Sequence, residues 1–214
     1  MKNFISFEGG EGSGKTTQSK LLFKSISKIT KDVLLTREPG GNNLSEKIRS
    51  LIVKKNNDFD SITELLLIYA SRNEHITRVI KPYLKIRKII VCDRFIDSTY
   101  AYQITGQNIS KKYFKFLNNM IVKKVIPEHT FIIKINPEIG IKRSLERKNK
   151  EVKYEHYDLD FHKKVMDAYI EIANKNKRCL LIDGDKDIKT IHKIIIDHLN
   201  SIKFLKKKIP YYYA

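Results

Sequence analysis

The chain has 214 residues, of which 41% are hydrophobic and 31% charged, and its formal net charge is +18. That apolar content can offset the chain entropy of one sizeable core, which excludes a disordered chain, and the length falls well short of two full domains. The longest apolar runs, 65–70 and 89–92, are far below the roughly 20 residues of a bilayer-spanning helix, and Cys92 and Cys179 stand too far apart for a metal or redox motif.

Residues 3–8 alternate between apolar and polar and then run into glycines, and residues 15–29 carry Leu21, Leu22, Ile26 and Ile29 at helical spacing. This predicts strand, tight loop, helix. A second short strand is expected at 33–36, stopped by Arg37-Glu38-Pro39-Gly40-Gly41. Residues 44–53 return to helical spacing. Ser61-Ile62-Thr63-Glu64 has the form of a capping box for a long helix reaching about residue 85. Residues 88–92 read as a buried strand ending in Asp93-Arg94, followed by helical stretches near 98–104 and 110–124. A fourth strand is expected at 130–135, and Pro137 is placed to open the next helix. A fifth strand at 180–183 and an amphipathic helix at 188–202 close the pattern. Alternating strands and helices predict an α/β fold, a doubly wound parallel sheet of five strands with helices on both faces. Residues 1–205 are expected to form one domain with a basic lid at 142–162, and 206–214 a frayed basic and aromatic tail. In such sheets ligands bind outside the carboxyl ends of the strands. The informative segments are therefore the glycine loop, Arg37-Glu38-Pro39, Asp93-Arg94 and Asp183-Gly184.

Gly9-Gly10-Glu11-Gly12-Ser13-Gly14-Lys15-Thr16 has the form G-x-x-x-x-G-K-[ST] between a predicted strand and a predicted helix. Amide groups of such a loop surround a phosphate when no side chain blocks the approach, and the helix N-terminus adds its positive dipole end. Lys15 is expected to bridge the outer phosphates of ATP, and the Thr16 hydroxyl to hold Mg²⁺. A phosphate loop alone serves ATPases, GTPases, helicases and small-molecule kinases. There is no apolar run ending in Asp-Glu and no Asn-Lys-x-Asp element, while arginines mark several strand ends.

Three segments together resemble bacterial thymidylate kinases in content, order and spacing: Phe7 through Gln18, Thr36-Arg37-Glu38-Pro39-Gly40-Gly41, and Asp93 through Gln103. The resemblance implies Mg²⁺-ATP as donor, dTMP as acceptor and a homodimer. It implies that Arg72 and Arg94 hold the acceptor phosphate with Arg37 nearby, that Glu11 reaches the region of the sugar 3′-hydroxyl, and that Asp93 helps position Mg²⁺. Tyr102 would limit room at the sugar 2′ position, and Ser98, Thr99 and Gln103 would meet base or sugar. Thr17 belongs to the ATP loop. Fixed arginines also make sense physically, because two anionic phosphates must be held together against their repulsion. The bland alternatives are a surface ion pair for Arg72, a helix cap for Asp93 and a core position for Tyr102.

The family usually carries an aromatic residue at the position of Ile68, which here is isoleucine with Tyr69 adjacent. The phosphate loop has Ser13 and no arginine, which in relatives of this kind goes with a lid arginine reaching the transferring phosphate. Arg147 is the expected residue, with Lys153 its rival, and Arg143 is expected to pack on adenine. The N-terminus shows no secretory pattern, which with the isolated cysteines fits a reducing cytoplasm. The lysines are spread along the whole chain, so a nucleic-acid partner is not expected from charge alone. A kinase for another monophosphate, such as dUMP or dCMP, and a basic nucleic-acid-binding ATPase remain the alternatives.

Overall fold

The computed structural model describes residues 3–54, 57–146 and 153–212. Strands β1 (Phe4–Gly9), β2 (Val33–Arg37), β3 (Ile89–Asp93), β4 (His129–Lys134) and β5 (Cys179–Asp183) form one parallel sheet in the order β2-β3-β1-β4-β5. Central β1 is buried along its whole length, as expected where helices cover both faces. Its side chains alternate between the two layers. Phe4 joins Ile90, Cys92, Leu65 and Tyr69 on one side, and Ile5 and Phe7 join Val91, Phe131, Leu22 and Ile195 on the other. Phe7 pairs with Asp93, and Asp93 with Arg37. This register brings the ends of three strands level beside the glycine loop.

Helix α1 (Lys15–Ser27) follows the loop, and α2 (Asn43–Val53) follows β2, capped by the Asn42 side chain, which accepts from the Leu44 and Ser45 amides. Helix α3 (Ser61–His75) starts differently from expectation. Asp60 is its cap, accepting from the amides of Ile62 and Thr63, so the Ser61–Glu64 capping box does not form. Glu64 is instead fully buried and turned into the molecule. The chain stays helical to residue 85, but with a wide π segment at Ile76–Ile80 before α4 (Lys81–Lys85). Pro82 in that last turn has no N–H and its ring crowds the carbonyl one turn back, which is the physical reason for the widened turn.

After β3 come α5 (Ile96–Thr99), a π segment at Tyr100–Gly106, α6 (Lys111–Leu117) and a second π segment at Asn118–Val122. Helix α7 (Pro137–Leu145) begins at the proline, as read from the sequence, and is capped by Asn136. Helix α8 (Leu159–Lys175) lies beyond the sequence reading, which placed no helix between 162 and β5. Its Phe161, Val165, Ala168, Tyr169 and Ile172 pack on Ala101, Tyr102 and Ile132. Those positions recur at helical spacing, so the pattern was in the sequence, behind the basic run that precedes it.

Helix α9 (Ile188–Ser201) packs beside α1, and the described residues beyond it, to 212, are held against the fold and not frayed. Ile209 is buried in the core, and Asn200 accepts from the Ile209 amide and donates to its carbonyl, at 2.8 and 3.0 Å. The Tyr212 ring lies 5.0 and 4.8 Å from the ammonium groups of Lys24 and Lys28. Three lysines at 206–208 masked an apolar anchor that follows them. Among the described residues, no helix is long and apolar enough to cross a membrane.

Candidate active site

The glycine loop turns between β1 and α1 through backbone that only glycine adopts readily. Gly12 has φ +63° and Gly14 has φ +93°, and a Cβ on Gly12 would stand 2.0 Å from the Gly140 carbonyl oxygen. Lys15 folds back and donates to the Gly10 carbonyl at 2.7 Å. Burial, and then the neighbouring Arg94, draw its ammonium down to about 8, against the pull of Glu11 and Asp93. The Ser13 hydroxyl is buried and has no partner among the described residues. Lys15 and the loop from Glu11 to Thr16 line one cavity, together with Arg37, Asp93 and Arg94. Gly9, Gly10 and Thr17 shape the loop without lining that cavity; Gly9 and Gly10 offer their carbonyls to Arg94 and Lys15.

Thr16 and Asp93, which the sequence paired through Mg²⁺, meet directly. The Thr16 hydroxyl donates to Asp93 Oδ2 at 2.5 Å, and Asp93 Oδ1 is buried without a partner among the described residues. A hydroxyl and a carboxylate with an unused oxygen at the end of a phosphate loop are a fitting donor set for Mg²⁺, which takes hard oxygen ligands and few of them from protein.

Arg94 is the hub between this cavity and a second one. Its backbone is in the left-handed region at φ +69°, an uncommon conformation for a residue with a side chain that is seen most often at functional turns. Its Nη2 donates to both Glu11 oxygens, at 2.9 and 3.0 Å, and to the Tyr102 hydroxyl at 3.2 Å. The Tyr102 hydroxyl donates to Glu11 Oε1 at 2.7 Å. Burial pushes the Glu11 carboxyl up, but Arg94 and Lys15 outweigh it and hold the group at about 2. Below lies Glu8, fully buried, which accepts from the Phe95 amide and the Ser98 hydroxyl; burial, and then Asp97, raise its carboxyl.

The second cavity is lined by Glu11, Ile68, Arg72, Arg94, Ser98, Thr99, Tyr102 and Gln103, which brings together every acceptor-side residue expected from the sequence except Arg37. Arg72 is not a surface residue. Its side chain is 2% exposed and donates to Glu38 at 2.7 Å and to the Phe95 carbonyl at 3.2 Å, while Nη1 has no partner among the described residues. Glu38 is held low by Arg72 and His75 against its burial. Ile68 presents an aliphatic face to the cavity, and adjacent Tyr69 does not replace the missing aromatic. Tyr69 faces the core, its hydroxyl 3.0 Å from Asn118. Arg37 sits on the phosphate-loop side, half exposed and paired with Glu46 at 2.9 Å.

Of the lid cations, Arg147 lies outside the described residues. Lys153 lines the acceptor cavity, not the phosphate-loop cavity, and pairs with Glu64 at 2.6 Å. Arg143 is exposed at the Gly184 carbonyl, 3.5 Å away, beyond the phosphate loop. Sequence reasoning missed Arg49 and Glu155, which line both cavities, and Tyr154, which lines the acceptor cavity with the buried Glu64 bonded behind it. Arg49 follows Glu46 on an ordinary amphipathic helix, and nothing in its local sequence separates it from a surface arginine.

A family model for thymidylate kinase matches residues 7–195. The chain is 43% identical over 201 residues to the thymidylate kinase of a Sulfurihydrogenibium species, with 93% of this chain and 97% of that protein covered. It is 45% identical over 206 residues to the thymidylate kinase of Ehrlichia chaffeensis, with 95% and 98% covered. The crystal structure of the Ehrlichia chaffeensis thymidylate kinase superposes with a TM-score of 0.75 at 40% identity, over 92% of this chain and 98% of that one. From Phe7 into α9, across the phosphate loop and both cavities, the chain belongs to the thymidylate kinase family.

Proposed function

We propose that the chain transfers the γ-phosphoryl group of Mg²⁺-ATP to the 5′-phosphate of dTMP, releasing ADP and dTDP for dTTP synthesis in the cytoplasm. The observation that carries this reading is the wall shared by the two cavities: Glu11, Arg49 and Arg94 line both. A donor phosphate chain lying along the glycine loop and an acceptor phosphate held in the second cavity then meet at Arg94.

An oxygen of the acceptor phosphate attacks the γ-phosphorus, and the bond to the β,γ-bridging oxygen breaks. The attacking oxygen is already anionic, so positioning and charge stabilisation matter more than a general base. Lys15 and the loop amides hold the donor phosphates, and Arg94 with Arg72 orients the acceptor, with Arg37 and Arg49 adding positive charge. When bound, Mg²⁺ neutralises charge on the donor phosphates, and Thr16 and Asp93 are the residues that would hold it. Tyr102, fixed by Glu11, closes the sugar end of the acceptor cavity, and Ile68 gives the base an apolar face. Arg143 is read as an adenine contact and Arg147 as the lid cation.

A coupled assay of purified protein with Mg²⁺, ATP and dTMP tests the reading directly. Formation of dTDP, with dUMP and dCMP used far less well, is expected; a protein that makes no dTDP from dTMP would require abandoning it. In the same assay Arg147→Ala should lower kcat far more than it raises KM for dTMP, and an unchanged kcat would remove Arg147 from the mechanism.

We also read the enzyme as a homodimer. Leu66 on α3, Phe116 on α6 and Met120 beside it are large apolar side chains left more than half exposed, and a second copy would cover them.

A further inference from the structure

Glu64 is spent on no step of the transfer, yet it accepts hydrogen bonds from three residues that line the acceptor cavity, Gln103, Lys153 and Tyr154. It is fully buried in the first turn of α3. Its Oε1 accepts from Gln103 Nε2 at 3.0 Å, Gln107 Nε2 at 2.8 Å and the Tyr154 hydroxyl at 2.9 Å. Its Oε2 accepts from Lys153 Nζ at 2.6 Å. Three donors crowd Oε1 and one holds Oε2, and the four come from two segments remote from α3 in the chain.

We propose that Glu64 is a positioning residue that fixes the orientation of the Gln103 amide and holds Lys153 and Tyr154 in the wall of the acceptor cavity. This inference rests on reading that cavity as the dTMP site.

The orientation follows from chemistry. A carboxylate can only accept, so the Gln103 amide must turn its NH₂ to Glu64, which leaves the carbonyl oxygen as the end available to a ligand in the cavity that Gln103 lines. An acceptor oxygen matches the N3–H of thymine and opposes the bare N3 of cytosine. A glutamine not held this way could flip and satisfy either base. The same carboxylate supplies the charge that keeps the Lys153 ammonium at the cavity, where it is only 9% exposed. The placement of Lys153 and Tyr154 and the reading of the base thus depend on one buried group, because removing it leaves a buried cation without its carboxylate.

The test compares wild type, Glu64→Gln, Gln103→Ala and the double variant by steady-state kinetics with dTMP, and by competition with dCMP. Glu64→Gln is expected to raise KM for dTMP about tenfold with kcat within about threefold, and to narrow the preference for dTMP over dCMP. In the Gln103→Ala background the same change should narrow the preference no further. A partly unfolded variant loses apparent kcat but not affinity, so KM separates positioning from a merely structural role. If Glu64→Gln cannot be purified folded, Lys153→Met tests the cavity-wall half of the proposal, with a raised KM for dTMP and an unaltered dTMP-to-dCMP preference expected. Unchanged KM for dTMP, or an equal loss of discrimination with and without Gln103, overturns the inference. Failure of the wild type to phosphorylate dTMP would instead overturn the function on which it rests.

Discussion

Lys15 shows what the site costs the fold. Its ammonium is buried at the Gly10 carbonyl, and burial and then Arg94 bring its pKa from the model-compound value of 10.5 to about 8. Below pH 8 the lysine is charged in both folded and unfolded states, and the folded state carries the desolvation penalty. Between pH 8 and 10.5 the folded state releases its proton first, so this group's contribution to stability rises with pH. Lys15→Met should therefore be more stable than wild type at pH 7, on the order of 1–3 kcal/mol, and the difference should shrink toward pH 10. Urea denaturation at the two pH values measures this, and the variant should lose phosphoryl transfer. A constant difference across that range would show that the lysine is not destabilised by its burial. Of the residues named in advance, Lys15 was legible from the spacing of the glycine loop, and Asp93 and Arg94 from their place at the end of β3. Glu64 was read as a helix cap because its spacing from Ser61 fits one, and Arg49 was silent because a helical arginine usually faces water.

At the scale of elements, the strands and most helices were read from local pattern, whereas α8, whose apolar spacing stands behind a basic run, and the C-terminal segment were not. In both cases a basic run stands next to an apolar set whose burial depends on surfaces built elsewhere. The C-terminal segment is held by Ile209, 2% exposed, and by two hydrogen bonds to Asn200. Ile209→Ala should destabilise the protein by about 2–5 kcal/mol, because the buried side chain leaves a cavity against α9. A shift of the urea midpoint reports it, and a change below about 0.5 kcal/mol would return the segment to the frayed end that its lysines suggested. The π segments follow the same division: Pro82 marks one of them in the sequence, while those at Tyr100–Gly106 and Asn118–Val122 have no such mark.

For the whole molecule, the +18 charge is spread over the chain, while the exposed apolar side chains Leu66, Phe116 and Met120 come from α3 and from α6 with the turn after it. If a second copy covers them, sedimentation equilibrium at micromolar concentration should give twice the chain mass of 25.1 kDa, and Phe116→Asp should shift it toward one. A single-chain mass for the wild type would discard the dimer. The positions of the strands along the chain, the phosphate loop and the arginines at strand ends were legible in the sequence alone, since each depends on residues within a few positions of one another. Which carboxylate each arginine meets, where Glu64 turns and where Ile209 docks were decided only in the tertiary structure. These contacts join segments 34 to 90 residues apart, and buried charge can choose its partner only after the sheet has brought those segments together.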